Sequence, residues 1–495
     1  MKRCPMQWDQ EDKMHQVGLM RDIYSKCTRC LIWVGEIEGN TISEAEATLD
    51  FISLCAGYAR EHTSDDLNPQ ESVHYRPQVG IPVSLSTPGR VDGAVRAFNN
   101  FTIKCSVWWS RVWTVQEAVL PEKAVVQWGQ VSLPWSIITK AALNLCNPGT
   151  HLPPLSLLQS FNSLLNDFVG PVRGLSKAKK GERPLNILQR WRYREATDPR
   201  DKVYALIGLF PQTVLLNVHS CNYQLSVLAL YRQVTADLIH LEQGLRPLVG
   251  LRGRYTPGLA TWAIDLAGSP DVETWRWWWN YSHRYKWFKS DSGSSLSEHF
   301  VHEGRAISLK GISVDKIEKI GKALTVHRGE KPPNTDIIQT MQYWRQLTVD
   351  YMHQLRSSRG CPYGNDWDTA FWTTMIGDLI MTEYPQRRAT AHDAKLVMLY
   401  YQKKTWSEVV QSLKGMVINK SFFITRQGYI GLGPPDLVKG DHVWVLFGGN
   451  VPFILRESCA FADTYTLVGD AYVHGIMDGE AVNRYESRQQ VIHIH

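Results

Sequence analysis

Apolar positions in the N-terminal region recur first with a helical period and then with an extended one. Met14, Val17, Met20, Ile23, Tyr24 and Cys27 fall three or four apart, with Glu11 and Asp12 at the start of the run and Lys26 and Arg29 near its end. That spacing predicts a helix over 11–27 whose end charges suit its dipole. Residues 30–34 form an unbroken apolar run stopped by Gly35 and read as a short buried strand. Ser43 and Glu46 have the spacing of a capping box, and Leu49, Ile52, Cys55, Ala56 and Ala59 continue from it as a second amphipathic helix. Residues 62–90, rich in Pro, Ser, Asp and Gln, hold no period and read as a long surface insertion; helical spacing resumes over 91–105.

The rest of the chain is organised around residues 108–120, closed by Pro121. Taken as one helix, this stretch sets Trp109, Val112, Trp113, Gln116 and Leu120 along a stripe, with Glu117 one turn beyond Trp113. Residues 124–128 before Gly129 are the next strand. Strands alternating with helices predict a parallel α/β sheet. Its ligand sites gather at the carboxyl ends of the strands, where Gly35, Glu36 and Gly129 fall.

Further on, 185–193, 202–210 and 226–241 have helical spacing, the first two flanking the charged cluster Asp198, Arg200 and Asp201. Arg–carboxylate pairs there are expected to lock the junction. From Arg305 the texture becomes β, with alternation over 306–314 followed by Ile317 and Ile320. A polar, helical stretch over 330–418, with a Gly-Cys-Pro-Tyr-Gly loop at 360–364, reads as an insertion. Short alternating runs at 422–425, 428–432, 440–449, 452–456 and 465–473, separated by Gly, Asp and Pro, predict a small β-barrel or β-sandwich. The expected domains are 1–140, α/β; 141–260, helical and completing the N-terminal core; and 261–495, β-rich with the helical insertion.

With 495 residues, 43% of them apolar, the chain has material for two or three buried cores, so disorder is not the expectation. A net charge of +6 spread over 54 basic and 48 acidic residues is too mild to imply nucleic acid. Nine irregularly spaced cysteines make no disulfide framework, and reduced thiols are the simpler expectation. No apolar run reaches the ~18 residues of a membrane span, and Met1-Lys2-Arg3 leads into Cys4-Pro5 instead of an apolar signal core, so no membrane association is expected and the cytoplasm is the expected compartment.

Three groups offer chemistry. Glu117 is either a carboxylate anchored by Arg111 and Gln116 within a tryptophan core, or a working acid. Cys27 and Cys30 form a single Cys-x-x-Cys at apolar positions, which argues for packing over metal or redox work. The run Trp275-Arg276-Trp277-Trp278-Trp279-Asn280-Tyr281, followed by Arg284, Lys286 and Trp287, interleaves aromatics with cations; it either stacks single-stranded bases or packs one domain on another. His442 and His474 are isolated and read as structural.

Cys4-Pro5-Met6-Gln7, trailed by Glu11, Lys13, Gln16 and Val17, is similar to the Cys-Ile-Asn-Gln word and following helix of the fungal HET (heterokaryon incompatibility) family. Trp33-Val34-Gly35, Arg111-Val112-Trp113-Thr114-Val115-Gln116-Glu117 and Asp198-Pro199-Arg200-Asp201 resemble later words of that family. Gly440-Asp441, residues 452–456, Leu467-Val468-Gly469 and residues 472–480 resemble its usual ending. These words are scattered over nearly the whole chain. Family members begin with a strand and a Ser-Tyr-x-Trp-Gly segment ahead of the Cys word, whereas here Cys4 stands near Met1 and Pro5 and Met6 replace Ile and Asn. The resemblance therefore implies an N-terminally shortened member whose TIR-like parallel sheet lacks its first strand, followed by a helical region and a small β-rich C-terminal domain.

Its implied role is non-self recognition and programmed cell death signalling, through self-association or another incompatibility protein, with no cofactor required. In the shortened chain a non-catalytic assembly module is the leading expectation. Kinship with TIR domains implies an alternative, NAD glycohydrolase activity with NAD as substrate. Ser110, Trp113 and Glu117 reproduce the TIR serine–tryptophan–glutamate spacing, and Gly35, Glu36 and Arg111 are the candidate nucleotide contacts. There Glu117 would orient the ribose hydroxyls and stabilise the oxocarbenium-like charge as nicotinamide leaves. Nucleic-acid binding through 275–287 is the weakest reading.

Overall fold

The structure, a computed structural model, describes residues 10–62, 73–77, 80–102, 107–147, 153–211, 214–218, 220–250, 255–268, 283–296, 301–302, 305–326, 332–356, 362–363, 366–381, 386–403, 409–458 and 463–495. The chain divides into two compact units, Met1–Val227 with Leu266–Trp275, and Leu228–Asp265 with Arg276–His495. The Cys4–Gln7 word, the aromatic run 275–281 and most of the 360–364 loop lie outside the described residues.

In the first unit the helical spacing yields α1 (Gln10–Lys26), followed by β1 (Cys30–Trp33). α2 (Ile42–Cys55) starts earlier than Ser43 predicts. Thr41 Oγ1 accepts from Glu44 N at 3.2 Å while Glu44 Oε2 accepts from Thr41 N at 2.9 Å, so the capping box is Thr41 with Glu44. Ala59 lies beyond this helix, on β2 (Tyr58–His62), which pairs antiparallel with β3 (Val73–Pro77). The stretch expected to be irregular therefore holds a strand, a single 3-10 turn at Val83–Leu85 and the start of α3 (Pro88–Phe101). Asp50 on α2 organises it: Arg60 donates to its Oδ1 at 3.1 Å and Ser84 to its Oδ2 at 2.7 Å.

The expected tryptophan-rich helix is broken in two, α4 (Val107–Ser110) and α5 (Thr114–Val119). Arg111 between them bridges to Glu195: Val112 N donates to Glu195 O at 3.0 Å, and Glu195 N to Ser110 O. A distant segment takes backbone groups that a continuous helix would have paired internally. Beyond the break come β4 (Ala124–Trp128), β5 (Val131–Pro134) and α6 (Trp135–Cys146). Cys30 to Trp33 run parallel to Ala124 to Gln127, but β4 and β5 form an antiparallel hairpin. The sheet, ordered β1-β4-β5, is thus mixed, with one parallel pair where an all-parallel sheet was expected. Ile32, Val126 and Leu133 on it are buried, as are Phe51, Phe98 and Phe161, whose rings meet at 3.6 to 5.9 Å. Phe161 belongs to α7 (Leu155–Lys179), which is followed by α8 (Pro184–Trp191) and α9 (Asp201–Ile207).

α10 (Val227–Glu242) leads into the second unit, where β6 (Val301–His302) precedes β7 (Ala306–Gly321). β7 is one unbroken strand through both of the apolar runs seen in the sequence. The helical insertion comprises α11 (Asn334–Arg356), α12 (Trp367–Met375), the two-residue strands β8 (Leu379–Ile380) and β9 (Arg387–Arg388), α13 (Ala391–Lys403) and α14 (Val409–Val417). Then come β10 (Ser421–Thr425), β11 (Ile430–Gly433), β12 (His442–Leu446), β13 (Phe453–Glu457), β14 (Thr464–Asp470), β15 (Tyr472–Val473), α15 (Glu480–Arg484) and β16 (Gln489–Ile494).

β7 pairs with both β12 and β16, and β12-β13-β14-β16 are joined in sequence, so five strands close into a ring. Of the two architectures the strand pattern allowed, the barrel is the one observed. The far end of β7 pairs with β10, which β11 and β15 extend. Ile312, Val314, Val443, Val445 and Ile454 belong to its apolar core. Gly311 lies where β12 crosses: a Cβ there would stand 2.6 Å from Val445 O, so only glycine fits without a shift.

Candidate functional site

Glu117 is half-buried on α5, and its carboxylate is held by two side chains. Trp108 Nε1 donates to Oε2 at 2.8 Å, and the Tyr24 hydroxyl, from α1, donates to Oε1 at 3.4 Å. The indole that touches this carboxylate is therefore Trp108. The sequence pointed to Trp113, but the break at Arg111 makes Trp113 the N-terminal cap of α5 and lets Trp108 reach back from α4. Gln116 anchors the same helix from its other side, Nε2 donating to Ala205 O of α9 at 3.0 Å instead of serving Glu117.

Behind Trp108 lies Arg194, fully buried, with its guanidinium 5.7 Å from the Trp108 ring centroid and 4.6 Å from that of Trp191. Its Nη1 donates to Thr114 Oγ1 at 2.8 Å and to Arg111 O at 3.3 Å. Burial lowers its pKa, while the nearby Tyr193 and Glu117 work against that loss. Burial and the Glu117 charge together push the Tyr24 phenol far above its usual range, so it remains a donor at neutral pH. Burial and the same charge push the Cys30 thiol up to about 11. Cys30 and Cys27 are both free thiols, and Cys27 Sγ donates to Tyr24 O at 3.2 Å. A thiol so shifted is a poor nucleophile at neutral pH.

The other expected site residues are not gathered on Glu117. Ser110 Oγ donates to Val107 O at 3.0 Å and to Glu195 Oε2 at 3.3 Å, which turns it away from Glu117. Arg111 is exposed; its positive charge acts on Tyr24, and its carbonyl accepts from Thr114 Oγ1 at 2.7 Å. Gly35, at φ +118°, gives its carbonyl to Gly129 N at 2.9 Å, and Glu36 gives its carbonyl to Trp128 Nε1 at 3.1 Å. These two lie at the carboxyl end of β1, as expected, and among the described residues no hydrogen bond joins them to Glu117.

The cluster at 198–201 is the expected lock. Asp198 accepts from Arg200 N and Nε at 3.0 Å and from Nη2 at 2.9 Å, and Lys13 Nζ stands 3.4 Å from its Oδ2 and 3.8 Å from the centroid of the Tyr223 ring. Burial raises its pKa, but the Arg200 hydrogen bonds outweigh this and hold the carboxyl below its usual value. The Tyr223 hydroxyl donates to Asp201 Oδ1. α1 is thereby tied to the entry of α9, and the Tyr24–Glu117 contact lies on the same helix. Sequence reasoning missed Tyr24 and Arg194 as members of the site. Tyr24 looked like one more apolar helical position, and nothing in the spacing around Arg194 announces its partners, which come from Arg111 and Thr114.

This geometry gives a carboxylate oriented by two donors, with part of its surface open to solvent, on a short helix pinned from three sides. Together with the mixed sheet and the closed barrel it defines a two-part α/β and β-barrel chain. Residues 2–117 match the family described as Heterokaryon incompatibility protein (HET), and residues 388–492 match the Het-6 beta-barrel domain. The N-terminal match is thus to the HET family and the C-terminal match to the Het-6 barrel, and the two lie in that order along this chain. It is similar to heterokaryon incompatibility protein 6, OR allele, of Neurospora crassa, at 23% identity over 553 aligned residues that cover 98% of this chain and 81% of that protein. No solved structure matches. Among the described residues, no helix is long and apolar enough to cross a membrane.

Proposed function

We propose that this chain acts in non-self recognition as a cytoplasmic signalling protein whose HET domain leads to programmed cell death by assembly, without catalysis and without a cofactor. Its partner is a second copy or another incompatibility protein. The observation that carries the reading is the engagement of Glu117: Trp108 and Tyr24 of its own domain hold one carboxylate oxygen each. Ser110, the serine of the TIR-like pattern, is bonded to Glu195, and Trp113 caps a helix. The likeness to an incompatibility protein along 98% of the chain supports the broader role.

A second reading rests on the same carboxylate. An ionised carboxylate has about four acceptor sites, and a half-buried Glu117 with two in use can still accept from a ribose hydroxyl. NAD glycohydrolysis of TIR type is that alternative, with Glu117 as its catalytic residue.

Nicotinamide release from NAD by the concentrated, full-length chain separates the two. The expected result is no release from the parent or from Glu117→Gln, while both chains still arrest growth when expressed in a fungal host. Release by the parent that vanishes in Glu117→Gln overturns the assembly reading in favour of the hydrolase.

A further inference from the structure

Among the described residues, β1 pairs with β4 on one edge and with no strand on the other. Its hydrogen bonding shows which groups are left over. Cys30 N donates to Lys123 O at 2.9 Å and Val34 N to Gln127 O at 3.0 Å, so the even-numbered residues turn their amides toward β4. In a parallel pair the intervening residues, Leu31 and Trp33, then direct their N–H and C=O groups to the open side. Their side chains are also uncovered: Leu31 is 50% exposed and Trp33 47%, while Cys30 and Ile32 on the opposite face are buried. On α1, which leads into this strand, Ile23 is 52% exposed. A row of unpaired backbone groups beside apolar side chains is a template for another strand.

We propose that this edge binds a second copy of the same chain, the two β1 strands pairing antiparallel about a two-fold axis at Ile32. That register sets Leu31 of each copy opposite Trp33 of the other. Both residues turn their backbone groups outward, so the pairs are of the hydrogen-bonded kind and supply four inter-strand bonds. Leu31 and Trp33 of both copies then form one apolar patch on the same face of a joined sheet.

Charge selects this orientation. Lys26 and Arg29 precede the strand, Glu36 and Glu38 follow it, and all four are exposed. Antiparallel pairing brings the basic end of each strand to the acidic end of the other, with Arg29 opposite Gly35 and next to Glu36. Parallel pairing would set like charges together. The interface gives the assembly reading a surface and rests on that reading for its biological role.

Sedimentation velocity of the full chain across roughly 1 to 100 µM tests the proposal. A reversible monomer–dimer equilibrium is expected in that range. Leu31→Pro removes an N–H that no strand among the described residues uses and leaves the β4 pairing in place; with an unchanged circular dichroism spectrum it should weaken the dimer by about tenfold or more. Leu31→Lys, which alters only an exposed side chain, should do the same if the proline variant folds poorly. Arg29→Glu and Glu36→Arg should each weaken the dimer, and the double variant should recover most of the loss.

A monomer throughout the range, or a dimer indifferent to Leu31→Pro and Leu31→Lys, overturns the proposal; a double variant no better than either single overturns its antiparallel register. A monomeric chain that still arrests growth overturns this interface and leaves the assembly reading standing. A dimer disrupted as described, in a chain that does not arrest growth, does the reverse.

Discussion

His474 presents its ring edge-on to Tyr363 at 5.3 Å, with Nδ1 2.9 Å from the Tyr472 hydroxyl, and burial brings its pKa down to about 4. Its imidazole in the unfolded chain titrates near the ordinary value of about 6.5. Between these values the unfolded state binds more protons than the folded one, so stability rises with pH through the window. The contribution of His474 is complete above about pH 6.5 and is lost as pH falls toward 4, by ~3 kcal/mol in all. Urea unfolding at pH 7 and at pH 4.5 checks it: the parent should lose about 2 kcal/mol or more relative to His474→Gln. Equal losses in the two proteins would remove His474 from the account. The sequence marked this histidine as structural because it stands alone, and its ring is indeed occupied by two tyrosines. It also marked Glu117. What it misassigned there was the indole, because a three-and-four period cannot reveal that Glu195, 78 residues beyond Glu117, will interrupt the helix at Arg111.

Arg388 on β9 draws several elements of the second unit together. Its Nε donates to Asp378 Oδ2 at 2.8 Å, its two terminal nitrogens donate to Asp478 at 2.9 Å, and Nη1 also reaches Trp287 O at 3.2 Å. Burial raises the Asp378 carboxyl above its usual range even with Arg388 beside it. Arg388→Ala would leave that carboxyl enclosed without its counter-charge, at a cost of about 3 kcal/mol. A fall in the unfolding free energy of that size, read from denaturant titration, is expected; a change within about 0.5 kcal/mol, the range of ordinary surface substitutions, would show the clamp to be idle. Elements held by local pattern, such as α1, β1, β4, α9 and the barrel strands β12, β13 and β14, were legible in the chain. β16 was not, nor were those elements that depend on a remote partner. The β2–β3 hairpin is fastened through Asp50 on α2, and β7 stays extended past its first apolar run because β10, more than a hundred residues later, pairs with Ile317 to Gly321.

In the second unit, ring closure depends on the last strand of the chain. β16 lies along β7 from Gln489 opposite Ile312 to Ile494 opposite Ile307, and Thr261 N donates to the carbonyl of His495. A chain ending at Arg488 should lose the cooperative unfolding of this unit and its near-ultraviolet circular dichroism, because β7 and β14 would both be left with open edges. A truncated chain that melts at the parent's midpoint would show that β16 adds little.

The long reach of β7 also sets a clock. Ser308 and His493, which meet through Oγ and Nδ1 at 2.9 Å, are 185 residues apart in the chain. At a synthesis rate of about 5–20 residues per second, roughly 10 to 40 seconds separate them on the ribosome. For that interval the barrel's first long strand waits for the strand that completes it, a pairing of high contact order. A stop codon ahead of β16 would therefore leave this ring open, and a chaperone that shields nascent β7 should raise the yield of folded protein.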